Sequence, residues 1–280
     1  MAILLDGRAL SDKIQENLKQ EVAGWKQKGK RLPKLVVILI GEDVGSQVYV
    51  KNKENSAKNI GFHSQVDRLP ENTTEEELLR RINEYNEDQQ VDGILVQLPL
   101  PKHIDEEKII LAIDSKKDVD GFHPLNMGKL FIGKPDKLPC TPYGIMRLLE
   151  EHDVEVAGKK AVVIGRSNIV GKPMGQLLLM SNATVTITHS HTKDLKAITK
   201  EADIVIVAIG ESEFLRADHI KEGAVVVDVG MNRHVDGHLV GDVKFDEVSR
   251  KASYITPVPG GVGPMTIAML MEQTVANARG

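Results

Sequence analysis

Lys159-Lys-Ala-Val-Val-Ile-Gly-Arg-Ser-Asn-Ile-Val-Gly-Lys-Pro-Met-Gly-Gln-Leu-Leu-Leu-Met180 changes character twice along its length. Ala161 to Ile164 is a β-branched, apolar run that reads as a buried strand, Gly165 and Gly171 bracket a polar turn, and Leu177-Leu178-Leu179 continues as a helix that Pro173 can open. In a strand, glycine turn and helix of this kind, small residues let a pyrophosphate approach the backbone. The first free N–H groups of the helix, with its dipole, favour the negative charge. The spacing is Gly165-x-Ser167-x-x-x-Gly171 rather than G-x-G-x-x-G, so taken alone the stretch reads equally as an ordinary strand-to-helix turn of an α/β protein.

The next strand discriminates between dinucleotides. Thr184 to Thr188 alternates as a strand should, and a site selective for NAD would place a carboxylate at its end to bind the ribose hydroxyls. Here the strand runs into His189-Ser190-His191-Thr192, with no carboxylate before Asp194. Arg166 in the first turn could meet a 2′-phosphate and Ser190 could donate to it, which points to NADP. His189 and His191 share one side of the chain but have no third ligand at a recognisable spacing, so no metal is expected.

Composition bounds the remaining classes. A chain of 280 residues can hold two domains with real cores, and 41% hydrophobic with 27% charged residues is ordinary for a globular protein. A net charge of −4 gives no footprint for nucleic acid or an anionic membrane, leaving small molecules and further copies of the chain as expected partners. The single cysteine, Cys140, cannot form an intrachain disulfide, and no stretch reads as a signal peptide or a bilayer span. The expected compartment is the cytoplasm.

Upstream, Ser11 to Lys28 reads as an amphipathic helix with Ser11 as cap and Ile14, Leu18, Val22 and Trp25 facing the core. Leu35 to Ile40 is too uniformly apolar for a half-exposed strand and belongs inside a covered parallel sheet. A helix from Ser46 to about Ile60 carries Tyr49 and Lys53 on one face, just past the C-terminal end of that strand, where α/β sheets bind ligands. Lys53 is either a titratable amine beside a stacking ring or a solvated lysine like Lys51 and Lys58. Glu75 to Asn86 is a further helix, and Gly93 to Gln97 is a second buried strand that Leu98-Pro99-Leu100-Pro101 must end. Gln97 therefore sits on the sheet's ligand-facing rim, where its amide can orient a lysine, read a heterocycle, or simply tie down a loop.

A short helix near Glu106 to Ile113 precedes Asp118-Val-Asp120-Gly121, where one of the two carboxylates is expected to face a site, unless the Asp-Gly pair is ordinary turn chemistry. Thr141 and Pro142 suit the cap and first position of a helix reaching about His152, with Cys140 as packing. Beyond the glycine turn come a helix around Asp194 to Glu201 and strands Ile204 to Ala208 and Ala224 to Asp228, an alternation expected of a doubly wound sheet. Gly210 and Gly230 would end those strands at the same rim. Val235 to His238 reads as a hairpin tip, Pro257 to Pro264 as a bare turn of the kind that lies against a ligand or serves as a linker, and Thr266 to Ala276 as a last helix.

Tyr49-x-x-x-Lys53, Val96-Gln97-Leu98-Pro99-Leu100-Pro101, Asp118-Val-Asp120-Gly121-Phe-His-Pro, Gly165-Arg-Ser-x-Ile-Val-Gly171-x-Pro173 and Pro259-Gly-Gly-Val-Gly-Pro-Met-Thr266 follow one another in this order. Together these blocks resemble, nearly end to end, the bifunctional methylenetetrahydrofolate dehydrogenase/methenyltetrahydrofolate cyclohydrolase family (FolD type). Val44-Gly45, Glu211-Ser212 and Met231 depart from the family pattern, outside the proposed catalytic set.

The resemblance implies an α/β fold of two domains. Residues 1–140 would form a catalytic domain with a parallel-rich sheet, on which the C-terminal helix 265–280 packs back, and residues 141–264 a Rossmann-like NADP-binding domain. It implies NADP-dependent oxidation of 5,10-methylenetetrahydrofolate and hydrolysis of the methenyl product. By similarity Lys53 is the amine that cycles protons, Gln97 its orienter, Tyr49 the ring that stacks on the aminobenzoyl portion, and Asp120 the carboxylate for the pterin. Val96, Leu98, Pro259, Gly260, Gly261 and Pro264 would complete the folate site. Gly165, Arg166, Ser167, Ser190, Gly210 and Met231 would hold the dinucleotide. A homodimer formed through cofactor-domain strands is also implied. The alternative reading is a two-domain NADP dehydrogenase of shikimate type, which would have no need of the Gln97 block.

Overall fold

Six apolar residues in a row, Leu35 to Ile40, have no face to offer water, and in the computed structural model all of them are buried in the middle strand of a parallel sheet. The structure describes residues 1–234 and 236–279. In chain order the first strands are β1 (Ile3–Leu4), β2 (Lys34–Ile40), β3 (His63–Leu69), β4 (Gly93–Val96), β5 (Lys160–Ile164) and β6 (Thr184–Thr188). They are followed by β7 (Ile204–Val207), β8 (Val225–Asp228), β9 (Asn232–Arg233), β10 (Leu239–Val240) and β11 (Tyr254–Ile255). The first helices are α1 (Gly7–Gln27), α2 (Val44–Ile60), α3 (Glu75–Glu87), α4 (Glu106–Ala112) and α5 (Pro124–Phe131). The remainder are α6 (Cys140–Glu151), α7 (Gly171–Met180), α8 (Leu195–Lys200), α9 (Phe245–Val248) and α10 (Val262–Arg279).

The chain divides into two units, one made of Asp12–Cys140 with the chain from Ile267 onward, the other of Met1–Ser11 with Thr141–Thr266. In the first, three parallel strands lie in the order β3-β2-β4. One face of β2, through Val36, Ile38 and Ile40, packs in a core with Leu78, Ile82 and Tyr85 of α3. Strand β3 was not apparent from the sequence: it is an edge strand of mixed burial, His-Ser-Gln-Val-Asp-Arg-Leu, so it carries no apolar run.

In the second unit six parallel strands are ordered β1-β11-β8-β7-β5-β6. The chain passes from β5 outward to β6 and then crosses back to β7 on the other side of β5, so the strand order reverses between β5 and β7. Such a reversal opens the crevice in which doubly wound sheets hold nucleotides. Val162, Ile164, Val205, Val207 and Val226 share a core under this sheet with Leu215. The hairpin read at the Val235–His238 tip is flanked by antiparallel β9 and β10; Val235 itself lies outside the described residues.

Several helices start earlier than the sequence suggests. Helix α1 begins at Gly7 because the Asp6 carboxylate accepts the Ala9 N–H at 3.0 Å, while Ser11 is buried within the helix. Thr141 and Pro142 lie inside α6, and Gly263 and Pro264 inside the first turn of α10. Among the described residues no helix is long and apolar enough to cross a membrane.

Candidate active site

Helix α2 starts where Asp43 accepts the Ser46 N–H at 2.7 Å, and its buried positions Ser46, Val50, Lys53, Ala57 and Ile60 recur at helical spacing. Lys53 therefore emerges on the apolar stripe and is only 6% exposed. Its amine donates to Gln97 Oε1 at 2.9 Å, while the Gln97 amide nitrogen donates to the Leu98 carbonyl at 2.7 Å. A carbonyl can only accept, so Leu98 fixes which end of the amide faces the lysine. The Gln97 N–H in turn bonds the Ile38 carbonyl at 2.9 Å, anchoring the amide to β2 just beyond the end of β4. Tyr49, one turn before Lys53, is half-buried, and burial raises its phenol above the usual range.

The two carboxylates after the Lys117 turn stand in different surroundings. Asp118 is consumed by structure: it accepts from the N–H groups of Gly121 and His123 and from the Asn126 amide at 2.8–2.9 Å. Asp120 faces the charge of Lys53, and burial pushes its carboxyl up to about 6 against the pull of the Lys53 ammonium. Burial likewise lowers Lys53, opposed first by the charge of Asp120. A cavity of about 20 Å³, room for a water-sized group, is lined by Leu98, Phe122, Asp118 and Asp120 among apolar neighbours from β4 and α4.

Gln273 was invisible to sequence reasoning and holds this corner together. Its carbonyl accepts the Leu138 N–H at 3.0 Å, and its amide nitrogen donates to Val119 O at 2.8 Å, Leu138 O at 3.0 Å and Cys140 Sγ at 3.3 Å. The only available signal was helical spacing, which puts Gln273 on the same face of α10 as Met269 and Leu270. Cys140 is buried, donates to Val119 O at 3.1 Å, and is driven by burial well above the ordinary thiol range, so it packs rather than attacks.

In the other unit, Gly165 closes the end of β5. A side chain on Gly165 (φ 119°) would sit 2.3 Å from the Ala208 carbonyl, and one on Gly171 would sit 2.3 Å from the carbonyl of Gly165, which accounts for the unusual glycine spacing. The expectation of free helix N–H groups is corrected here. The N–H groups of Val170 and Gly171 both bond Ser167 Oγ at 3.2 Å, that of Lys172 bonds the Ser167 carbonyl, and that of Met174 bonds Val170. Pro173 is the third residue of α7, not the first. Among the side chains of this turn, the exposed Arg166 and the Ser167 hydroxyl, whose proton is still available to donate, can meet an anion.

Beyond β6 the chain closes a small turn, with the His189 N–H on Thr192 Oγ1 at 2.9 Å, which leaves Ser190 exposed at its tip. Gly210 follows β7, and Met231, 43% exposed, follows β8. Pro259, Gly260 and Gly261 form a turn in the same unit, where Gly260 accepts the Arg8 N–H at 2.9 Å. The structure thus gathers Tyr49, Lys53, Val96, Gln97, Leu98 and Asp120 in one unit and the glycine turn with Arg166, Ser167, Ser190, Gly210 and Met231 in the other. His189 and His191 lie edge to face with ring centres 6.0 Å apart, and among the described residues a group of three donors occurs elsewhere. His234, Asp236 and His238 offer donor atoms within 4.8 Å of one another, and Asp236 sits as counter-ion to both rings.

A doubly wound parallel sheet with a bare glycine turn at its switch point, carried on one chain with a buried lysine held by an amide, defines a two-unit dinucleotide-binding enzyme. Residues 5–120 match the family model for the catalytic domain of tetrahydrofolate dehydrogenase/cyclohydrolase, and residues 139–280 match the NAD(P)-binding domain of the same enzymes. The chain belongs to the tetrahydrofolate dehydrogenase/cyclohydrolase family. It is 61% identical over 279 residues to the bifunctional protein FolD of Enterococcus faecalis, covering 100% of this chain and 99% of that one. The crystal structure of the bifunctional FolD enzyme from Campylobacter jejuni superposes with a TM-score of 0.97 at 54% identity, over 100% of this chain and 99% of the other. The Trypanosoma brucei dehydrogenase-cyclohydrolase, solved with NADP and an inhibitor, gives a TM-score of 0.95 at 42% identity, covering 99% of this chain and 97% of that one.

Proposed function

We propose that the protein oxidises 5,10-methylenetetrahydrofolate to the 5,10-methenyl cation with NADP and hydrolyses that cation to 10-formyltetrahydrofolate. The observation that carries the reading is the Lys53–Gln97–Leu98 relay beside Asp120. The residues at the switch point fit a phosphorylated dinucleotide: Gly165 leaves the backbone bare, Arg166 and Ser190 are exposed, and no carboxylate ends β6 to repel a 2′-phosphate. When bound, the nicotinamide accepts the hydride that the one-carbon bridge expels under the push of its flanking nitrogens, so no protein base is required for that step.

Hydrolysis asks more of the chain. Lys53 in its neutral form takes a proton from the water that adds to the bridging carbon. As the carbon–N5 bond breaks, the same amine returns a proton to N5, the former water oxygen becomes the formyl oxygen, and its second proton leaves to solvent. Burial supplies the neutral amine at a pH where a solvated lysine would be charged, and Gln97 keeps its lone pair aimed. Asp120 presents a carboxylate to the donor-rich edge of the pterin, and Tyr49 a ring to the aminobenzoyl group.

The wider setting in this reading is a cytoplasmic homodimer with tetrahydrofolate derivatives as its small-molecule partners. The open edge of β6, where Ile187 is 39% exposed, supports pairing between copies. The test is a spectroscopic assay with methylenetetrahydrofolate and each nicotinamide cofactor, following reduced cofactor and methenyl decay together. NADP reduction followed by methenyl decay is expected; decay at the uncatalysed rate would remove the cyclohydrolase assignment.

A further inference from the structure

Asp242 is wholly buried, at 0% exposure, and both its oxygens are occupied. Oδ2 accepts the N–H groups of Ile209 at 2.8 Å and Gly210 at 3.0 Å, and Oδ1 accepts the side-chain amide of Asn232 at 2.9 Å. Its own N–H bonds Oδ1 of Asp228 at 2.9 Å, an oxygen that also takes the Gly230 N–H at 2.9 Å. The segments that leave β7 and β8 are therefore tied to one carboxylate. There is no slack in the arrangement: a side chain on Gly230 would lie 2.1 Å from Asp242 Oδ1, and one on Gly241 would lie 1.8 Å from Asp228 Oδ2.

This knot sits at the carboxyl ends of the parallel strands. Ala208, directly before the tethered pair Ile209-Gly210, is the residue whose carbonyl abuts Gly165 of the glycine turn. A continuous packed path thus runs from Asp242 through Ile209 and Gly210 to the turn after β5. Met231 is bounded on one side by Gly230, which meets Asp228, and on the other by Asn232, which meets Asp242.

We infer that Asp242 is a positioning residue for the dinucleotide, holding the rims after β7 and β8 in their binding geometry before the ligand arrives. This rests on the NADP reading above. Charged acceptors make the stronger hydrogen bonds, and deleting one leaves the Ile209 and Gly210 N–H groups unpaired. The loops would then populate the competent geometry only part of the time, and the apparent affinity falls by that fraction.

The test measures NADP binding by calorimetry on the full chain, alongside hydrolysis of methenyltetrahydrofolate without any dinucleotide. Asp242→Ala is expected to weaken NADP binding by about tenfold or more while the cyclohydrolase rate, which draws on residues of the other unit, holds within about twofold. Asp242→Asn is expected to stay within about threefold of the wild type in affinity. Its carbonyl can still face Ile209 and Gly210 while its NH2 meets a flipped Asn232 amide. If the alanine variant does not fold, Asn232→Ala removes a single donor and should cost about two- to fivefold in NADP affinity with hydrolysis intact. Unchanged affinity in a folded alanine variant, unchanged affinity in Asn232→Ala where the alanine variant does not fold, or parallel loss of both readouts in the variant measured would overturn the inference. Failure of the wild type to bind NADP would instead overturn the reading beneath it.

Discussion

The Lys53 amine and the Gln97 carbonyl oxygen lie 2.9 Å apart, each fixed from behind by a different element: the lysine by the buried face of α2, the glutamine by the Leu98 carbonyl at the end of β4. A bond held from both sides serves proton transfer better than it serves hydride transfer, which requires no protein base. Lys53→Gln should therefore reduce methenyl hydrolysis to near background, a loss of about a hundredfold or more, while measurable NADP reduction survives. Equal loss of both activities in a folded variant would show that the lysine serves substrate binding in general.

Replacing Gln97 probes the other end of the same bond. Gln97→Leu removes an acceptor from the Lys53 ammonium, so the amine should titrate lower still and lose its aim. The acid limb of the cyclohydrolase pH profile should move to lower pH, and kcat should fall by about tenfold. A profile that stays in place would mean the amide reads the substrate and leaves the lysine alone.

What could be read from the residues and what could not divides along a physical line. Strands β2, β4, β5, β7 and β8 are buried throughout or nearly so, and burial on both faces writes itself into sequence as an apolar run. Strand β3 at a sheet edge and the two-residue strands β1 and β11 leave no such trace. The spacing placed Lys53 on a helix face and Gln97 at a strand end, while the roles proposed for them and for Asp120 came from the family resemblance. Gln273, Asp242 and the capture of the α7 N–H groups by Ser167 were not legible. Each depends on where one side chain meets backbone far away in the chain or in a turn whose conformation no periodicity encodes.

Gln273 can be tested directly. Gln273→Leu leaves the Leu138 N–H and the Val119 carbonyl without their buried partner, at a cost of about 1–3 kcal/mol in unfolding free energy by denaturant titration. Since the loosened segments flank Asp120, KM for the folate substrate should rise severalfold with a smaller change in kcat. A variant as stable as the wild type with unchanged KM would show the contacts to be dispensable.

Cofactor choice should depend on Arg166, which stands exposed in the turn after β5. A guanidinium can pair two oxygens of a 2′-phosphate, an interaction that NAD lacks. Arg166→Ala should raise KM for NADP by about ten- to a hundredfold and leave KM for NAD within about threefold, measured by reduced-cofactor absorbance. Parallel increases for both would place the residue on a group the two dinucleotides share.

Asp120 ties substrate binding to the pH dependence of hydrolysis. Its carboxylate is the largest influence raising Lys53, acting against the burial that lowers it, so removing the charge must lower the lysine further. In the proposed mechanism the working form is the neutral amine, and the acid limb of the rate marks the pH at which that form is lost. Asp120→Asn should therefore carry the acid limb to lower pH, whereas a carboxylate acting as the base would take the limb and the hydrolysis with it when removed. The carboxyl itself is raised to about 6, so in the wild type KM for the folate should worsen as the pH falls through that value and the acceptor for the pterin becomes protonated. In Asp120→Asn that dependence of KM should vanish, leaving a KM that is high and flat between pH 5 and about 8. Steady-state profiles of kcat and KM for the two proteins separate these effects. Hydrolysis abolished in Asp120→Asn at saturating folate would instead make the carboxylate the base.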